Sequence, residues 1–193
     1  SLLRGALNGQ KHWQPAWRDP EARAHYDIIV IVGGGHGLAT AYYLAKNHKM
    51  TNIAVVEKGW LGGGNTGRNT TIIRSNYLQD PSIAIYELAR SLYEGLSQEL
   101  NYNMMFSPRG VMMLCQTQHE LRAFQRTAHA NRLAGLDCRM ISPAEVKEIA
   151  PIINDDPNCR YPILGAYSQP RGGTGRHDAV AWGYARGADA MGV

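Results

Sequence analysis

The sequence predicts an α/β fold that opens on a nucleotide-binding strand–turn–helix–strand unit, and three observations predict it. Residues 27–32 are an almost continuous apolar, β-branched run, which reads as a buried parallel strand. Gly33, Gly34, Gly35 and Gly37 follow at once, and Leu38, Ala41, Tyr42, Leu44 and Ala45 then recur at helical spacing through Asn47. Residues 52–57 form a second buried strand that ends in the acid Glu57. Such a unit takes about 30 residues, its usual length.

The other elements follow in order. Residues 1–25 show no clean period; Trp13, Pro15 and Trp17 sit close together and read as an arm lying on something. Residues 58–76 are a long loop of Gly, Asn and Thr. Residues 81–100 repeat Ile85, Leu88, Leu92 and Leu96 at helical period. Residues 104–115 carry two strand-like runs around Pro108-Arg109-Gly110, and residues 118–134 read as a polar amphipathic helix. Ser142-Pro143-Ala144-Glu145 is a capping box with proline at the first helical position, and its short helix stops at Pro151. Residues 161–168 read as a strand. A glycine loop at 172–175 precedes His177, and residues 179–190 look helical. Met191-Gly192-Val193 reads as the lead into a further strand, so the chain is expected to be part of a longer protein.

Composition narrows the function classes. The chain has 193 residues, with 20 Lys+Arg against 16 Asp+Glu, a net charge of +4. That balance fits a globular chain able to bury a sizeable core. Basic residues are spread out and do not interleave with aromatics, so no nucleic-acid partner is expected; a mild attraction for phosphates or carboxylates is. Cys115, Cys138 and Cys159 form no CxxC pair, which argues against a metal site and fits a reducing compartment. No apolar stretch approaches the roughly 20 residues of a membrane span, and the first residues lack a signal peptide's apolar core. No membrane association is expected, and the cytoplasm follows.

The glycines carry the first chemistry. A dinucleotide site needs a tight turn, a glycine that admits the pyrophosphate, and a third that packs helix on strand. Counting G-x-G-x-x-G back from Gly37 gives Val32, Gly34 and Gly37; shifting by one gives Gly33, Gly35 and Leu38. Neither register is complete. Glu57 lies 23 residues after Gly34, where an acid accepts the adenosine ribose hydroxyls and repels a 2′-phosphate. A glycine-rich turn without a ligand would show the same glycines, but the flanking strand, helix and acid agree with a site.

The second constellation is Gly62-Gly63-Gly64-Asn65-Thr66-Gly67-Arg68-Asn69-Thr70-Thr71-Ile72-Ile73-Arg74. Small and amide side chains in such a loop offer many backbone donors beside a large cofactor, as a flavin with its ribityl-pyrophosphate chain requires. Ile72 and Ile73 count against a fully solvated surface loop. The third is Arg176-His177-Asp178 after the glycine loop. Spacing alone leaves His177 an ordinary histidine, and leaves Asp178 either capping the next helix or orienting the imidazole.

With these residues in view, the chain from Tyr26 to Val193 resembles the beta subunits of heterotetrameric sarcosine oxidases. The most specific stretches are Gly35-His36-Gly37-Leu38-Ala39-Thr40-Ala41-Tyr42, Val56-Glu57-Lys58-Gly59-Trp60-Leu61, Arg68-Asn69-Thr70-Thr71-Ile72-Ile73-Arg74-Ser75-Asn76-Tyr77 and Arg176-His177-Asp178-Ala179-Val180-Ala181-Trp182. The resemblance implies a Rossmann-type FAD-binding domain, glutathione-reductase-like and of the FAD-dependent amino-acid oxidase family, and then the start of a mixed-sheet substrate domain. With the aperiodic arm at 1–25 set apart, it divides the chain into the FAD-binding part at 26–100, the start of the substrate domain at 101–170, and a flavin-attachment loop and helix at 171–193.

It further implies non-covalent FAD and an FMN bonded covalently to His177. The cofactor-binding set is then Gly34, Gly35, His36, Gly37, Glu57, Lys58, Asn65, Arg68, Asn69, Thr70, Thr71, Ile72, Arg176 and His177. The implied reaction is oxidative demethylation of sarcosine, a small amine, to glycine and formaldehyde or its folate adduct. Electrons pass from FAD to FMN and on to oxygen, giving hydrogen peroxide, in a complex with alpha, gamma and delta subunits. Catalytic residues are expected past Val193. Related glycine, dimethylglycine or D-amino-acid oxidases and dehydrogenases, or an inactive nucleotide-binding fragment, are the alternatives. One departure stands out: Val32 falls where the family's first fingerprint glycine belongs, and a β-branched residue resists the φ values of a tight glycine turn.

Overall fold

The computed structural model describes residues 2–9 and 20–193; Trp13, Pro15 and Trp17 lie outside the described residues. A short helix, α1 (Leu2–Leu7), opens the chain. Arg23 ties the segment before the first strand to the body, donating to Asn52 Oδ1 at 3.0 Å and to the Gly192 carbonyl at 2.9 Å. Strand β1 (Ile28–Ile31) pairs in parallel with β2 (Ile53–Val56), Ile28 opposite Ile53 and Ile31 opposite Val56. Helix α2 (Gly35–His48) joins them and buries Leu38, Ala41, Tyr42 and Ala45. It ends at Lys49, whose left-handed backbone (φ 58°) lets the Lys49 N–H reach the Ala45 carbonyl at 3.1 Å.

The expectation that both strands are buried holds on one face only. Ile29 and Ile31 are 60% and 77% exposed, and Val56 is 52% exposed. A strand's side chains alternate between faces, and α2 packs on this pair while the other face is left open within the chain.

Beyond β2, a 3-10 turn (Asn65–Arg68) leads to β3 (Ile72–Ile73) and then α3 (Asp80–Glu99). Strand β4 (Val111–Cys115), helix α4 (Gln118–Leu133), strand β5 (Arg139–Ile141), helix α5 (Pro143–Ile149) and strand β6 (Gly165–Gln169) follow. β6 is the centre of a three-stranded antiparallel sheet, order β4-β6-β5. The chain closes with β7 (Gly173–Thr174) and α6 (His177–Ala190). The capping box at Ser142 and Glu145 forms as read, and a second one forms at Thr117 and Glu120.

Three expectations are corrected. Of the two strand-like runs in 104–115 only the second is a strand; the first is left with one bridge, Ser107 to Thr174. The strand read at 161–168 begins only at Gly165, because its partners Cys115 and Ile141 reach no further. Helix α6 starts two residues before the expected 179.

The main core packs α2 against α6, through Leu38, Tyr42, Val180, Tyr184, Ala185 and Ala188, with Leu96 and Met104 alongside. A second anchor is polar. Arg90 on α3 is 1% exposed, and its guanidinium donates to Glu87 at 2.5 and 2.9 Å and to Glu94 at 2.7 Å. Arg171 also reaches Glu94, at 2.9 Å. Glu87 accepts from Ser75 Oγ at 2.5 Å, and Ser75 exchanges bonds of 2.6 and 3.1 Å with Gln169. The network fastens α3 to the residues just after β3 and just before β7.

Arg90 first holds the Glu87 carboxyl below its ordinary 4.5, and Arg171 first does so for Glu94. A carboxylate with a lowered folded-state pKa contributes stability in full above its unfolded value and loses it as pH falls through the folded value. Arg90→Met is therefore expected to cost roughly 2–3 kcal/mol in urea unfolding at pH 7. The gap to the parent should narrow as pH falls below about 4; a gap that is absent at pH 7 contradicts this role.

Candidate functional site

The site starts at the turn between β1 and α2. Val32 has φ 132°, a backbone conformation that favours glycine. A Cβ built on Gly37 would stand 2.2 Å from the Val32 carbonyl oxygen, so only glycine lets α2 approach β1 this closely. The fingerprint register is thus Val32, Gly34, Gly37, with valine in a position shaped for glycine.

Glu57, one residue past β2, is aimed into this turn. Its carboxylate accepts from Gly33 N–H at 2.8 Å and from Gly59 N–H at 3.0 Å. Those backbone donors, Gly33 first, hold its carboxyl below the ordinary carboxylate value. An ionised carboxylate has further lone pairs, so Glu57 can still accept from hydroxyls of a ligand. The Gly35 N–H at the start of α2 donates to Thr66 Oγ1 at 2.9 Å. Thr66 belongs to the second constellation but not to the cofactor-binding set; a hydroxyl next to Asn65 in the glycine loop is the signal that could have added it.

The loop after β2 folds back over α2. Asn69 braces it, donating to the Thr66 carbonyl at 2.5 Å and accepting from Thr71 N–H at 2.7 Å. That brace holds the β-branched Thr71 at φ 61°. The Thr71 carbonyl accepts from Gly175 N–H at 3.1 Å, and β3 pairs antiparallel with β7, Ile72 opposite Thr174 and Ile73 opposite Gly173. A Cβ on Gly173 would meet the Ser107 carbonyl oxygen at 2.2 Å, so the bridge from Ser107 to Thr174 on the other side of β7 depends on a glycine.

That pairing brings the second and third sequence constellations to one cavity of about 810 Å³. Of the expected residues, Gly35, His36, Asn65, Asn69, Thr70, Thr71, Ile72 and His177 line it. Gly34, Gly37, Glu57, Lys58, Arg68 and Arg176 do not; the first three belong to the turn, while Lys58, Arg68 and Arg176 are exposed. Thr40, Tyr43, Leu92, Tyr93 and Tyr184 also line the cavity, and none of them is in the cofactor-binding set expected from the sequence. The His177 Nδ1 is buried with no hydrogen-bond partner.

Asp178 stands in the first turn of α6, where the Arg176 guanidinium first and then the Ala179 N–H hold its carboxyl below the ordinary value, but it is not the N-cap and does not orient the imidazole. Arg176 is the N-cap of α6, and Asp178 binds the Arg176 guanidinium at 2.8 and 2.5 Å. Both side chains are exposed, so the acid is drawn to the arginine and leaves the imidazole free. Among the described residues no group of His, Cys, Asp and Glu is arranged to hold a metal ion.

The residues present fit a flavin dinucleotide on two grounds: a turn closed so tightly that a Cβ at Gly33, Gly34 or Gly37 would meet Glu57, Thr66 or Val32, as a dinucleotide turn requires, and an ionised carboxylate held at the end of β2. They fit a ring attached to His177 on a third, a buried imidazole nitrogen left unpartnered at a cavity.

Comparison with known proteins agrees with this geometry. Residues 27–193 match the model of the FAD dependent oxidoreductase family. The chain is 62% identical over 193 residues to sarcosine oxidase subunit beta of Rhodobacter capsulatus, covering all of this chain and 46% of that protein. It is 53% identical to the subunit of that name from Rhizobium meliloti, with the same coverage. The chain thus spans about half the length of these relatives. Among solved structures, L-proline dehydrogenase from P. horikoshii superposes with a TM-score of 0.80 at 25% identity, over 89% of this chain and 43% of that one. Glycine oxidase from Bacillus cereus gives 0.74 at 19% identity, over 87% and 45%, a likeness of fold.

The strained turn yields a prediction. A β-branched residue in a sparsely populated region costs about 1–3 kcal/mol, and glycine returns about 0.5–1 of that in chain entropy. Val32 is half exposed, so little packing is lost on truncation. Val32→Gly is expected to raise the urea midpoint and to tighten FAD binding; a fall in both means the turn has adapted to valine.

Proposed function

The chain belongs to the FAD dependent oxidoreductase family, and from that premise we propose that it is the flavin-holding part of the beta subunit of a sarcosine-oxidising enzyme. The observation that carries the reading is the unpartnered His177 Nδ1 on the wall of the cavity that Asn65, Asn69, Thr70, Thr71 and Ile72 also line. High identity to sarcosine oxidase subunit beta supports the substrate class.

In this reading FAD binds without a covalent bond along the turn. Gly34, Gly35, His36 and Gly37 present backbone at the pyrophosphate, where the α2 N-terminus favours negative charge. Glu57 accepts the adenosine ribose hydroxyls, with Lys58 beside it. Asn65, Arg68, Asn69, Thr70, Thr71 and Ile72 wrap the ring side. His177 would hold FMN through a bond from its free imidazole nitrogen to the flavin 8α carbon; a methyl C–H would break as that bond forms, the two electrons and two protons would remain on the ring as reduced flavin, and oxygen would take them up as hydrogen peroxide. Arg176 is next to it in the chain. Bound FAD would supply the two-electron oxidation of sarcosine to its imine, and FMN the delivery of those electrons to oxygen as hydrogen peroxide; water hydrolyses the imine to glycine and formaldehyde, or a reduced folate takes up the one-carbon unit. The working enzyme is a cytoplasmic complex with alpha, gamma and delta subunits.

A second reading, an oxidase of glycine or another small amine, is favoured by 37% identity to glycine oxidase of Bacillus subtilis over 81 residues. Turnover of sarcosine against glycine by the complete enzyme separates the two.

Peptide mapping of the co-expressed complex tests the attachment. The flavin is expected on the peptide containing His177, and His177→Ala is expected to abolish it while FAD stays bound. Oxygen turnover should fall far more than reduction of FAD by substrate. A flavinylated peptide lacking His177, or an active complex with no covalent flavin, contradicts the proposal.

A further inference from the structure

Among the described residues, two buried side-chain polar atoms lack a hydrogen-bond partner: the His177 Nδ1 and the Tyr43 hydroxyl. Both residues line the same cavity, one from α6 and the other from α2. Buried polar side chains are bonded in the large majority of cases, and an orphan calls for a group that is absent. Two orphans on different walls of one cavity point to a single occupant that meets both.

The Tyr43 ring is held in place. Tyr42 meets it edge-on at 5.0 Å and 75°, and Tyr184 at 5.9 Å and 63°. The Lys46 ammonium lies 5.8 Å from its centroid. Burial first, and then the Tyr43 hydroxyl beside it, raise the Tyr184 phenol, yet the Tyr43 hydroxyl has no bond of proper geometry. Ala39, Leu44, Leu92, Leu96 and Val180 give the same cavity apolar walls. A flavin ring has an apolar dimethylbenzene end, which carries the 8α carbon, and a polar pyrimidine end with two carbonyls and an N–H. Attachment at His177 uses the apolar end and leaves the polar end in need of partners.

We propose that the Tyr43 hydroxyl bonds the polar edge of the flavin ring carried by His177 and so fixes the ring's orientation in the cavity. The inference rests on the reading that His177 carries that flavin.

The test uses the full co-expressed complex. A His177→Ala background removes the covalent link, so FMN added to it is expected to bind reversibly, and its affinity is read by fluorescence titration. Adding Tyr43→Phe, which keeps the packed ring and deletes only the hydroxyl, is expected to weaken FMN about three- to tenfold, the worth of one hydrogen bond. FAD affinity and the urea midpoint should stay at the parent's values. With His177 intact, Tyr43→Phe should keep flavin on the His177 peptide and shift its visible absorption band. Unchanged FMN affinity and an unchanged band, with flavin still on that peptide, overturn the role of Tyr43 alone. Absence of flavin from the His177 peptide in the parent complex overturns the reading beneath it, and this proposal with it.

Discussion

The antiparallel pairing of Ile72–Ile73 with Gly173–Thr174 is the contact on which the candidate site depends. It joins two glycine-rich segments that lie about a hundred residues apart, and without it the loop after β2 and His177 would not share a cavity. A ladder this short is weak by itself. It is reinforced on its other side, where Ser107 N–H reaches the Thr174 carbonyl at 2.7 Å and Thr174 N–H returns to Ser107 at 3.1 Å. Gly173 makes that second approach sterically feasible. The buried Arg90 network then clamps the flanks, through Ser75 after β3 and Gln169 and Arg171 before β7.

Helix α2 is the other shared part. One face packs on α6 through Leu38 and Tyr42, which fixes the helix as a rigid wall. Another face carries His36, Thr40, Tyr43 and Leu44 into the cavity, while its first turn, beside Glu57, belongs to the glycine cradle. A single helix therefore relates the two places where a flavin is proposed to sit. The valine at φ 132° lies at the root of this helix, so the strain sits where it bears on both.

Much of this was legible in the sequence because it is local. The β-branched runs, the glycines between them and the acid after β2 belong to one short unit, and β1, α2 and β2 form where those residues stand. The capping box at Ser142 is also local. What was not legible depends on distant partners. β3 and β7 contain two residues each, and nothing in Ile72-Ile73 or Gly173-Thr174 names the other. Exposure of Ile29 and Ile31 depends on what covers a sheet face, which a run of apolar residues does not state. Tyr43 falls outside the helical positions read from the sequence, and only packing isolates its hydroxyl. The glycine loop before His177 does not state its own purpose in the sequence; in the structure Gly173 lets the Ser107 segment and β3 both meet β7.

The central claim is that the complete protein holds two flavins related by α2, one exchangeable on the glycine turn and one fixed at His177. Counting flavins after acid precipitation of the assembled enzyme tests it most directly. The account predicts equal amounts per chain of FAD in the supernatant and FMN in the coloured pellet. A colourless pellet, with all flavin released as FAD, would contradict it.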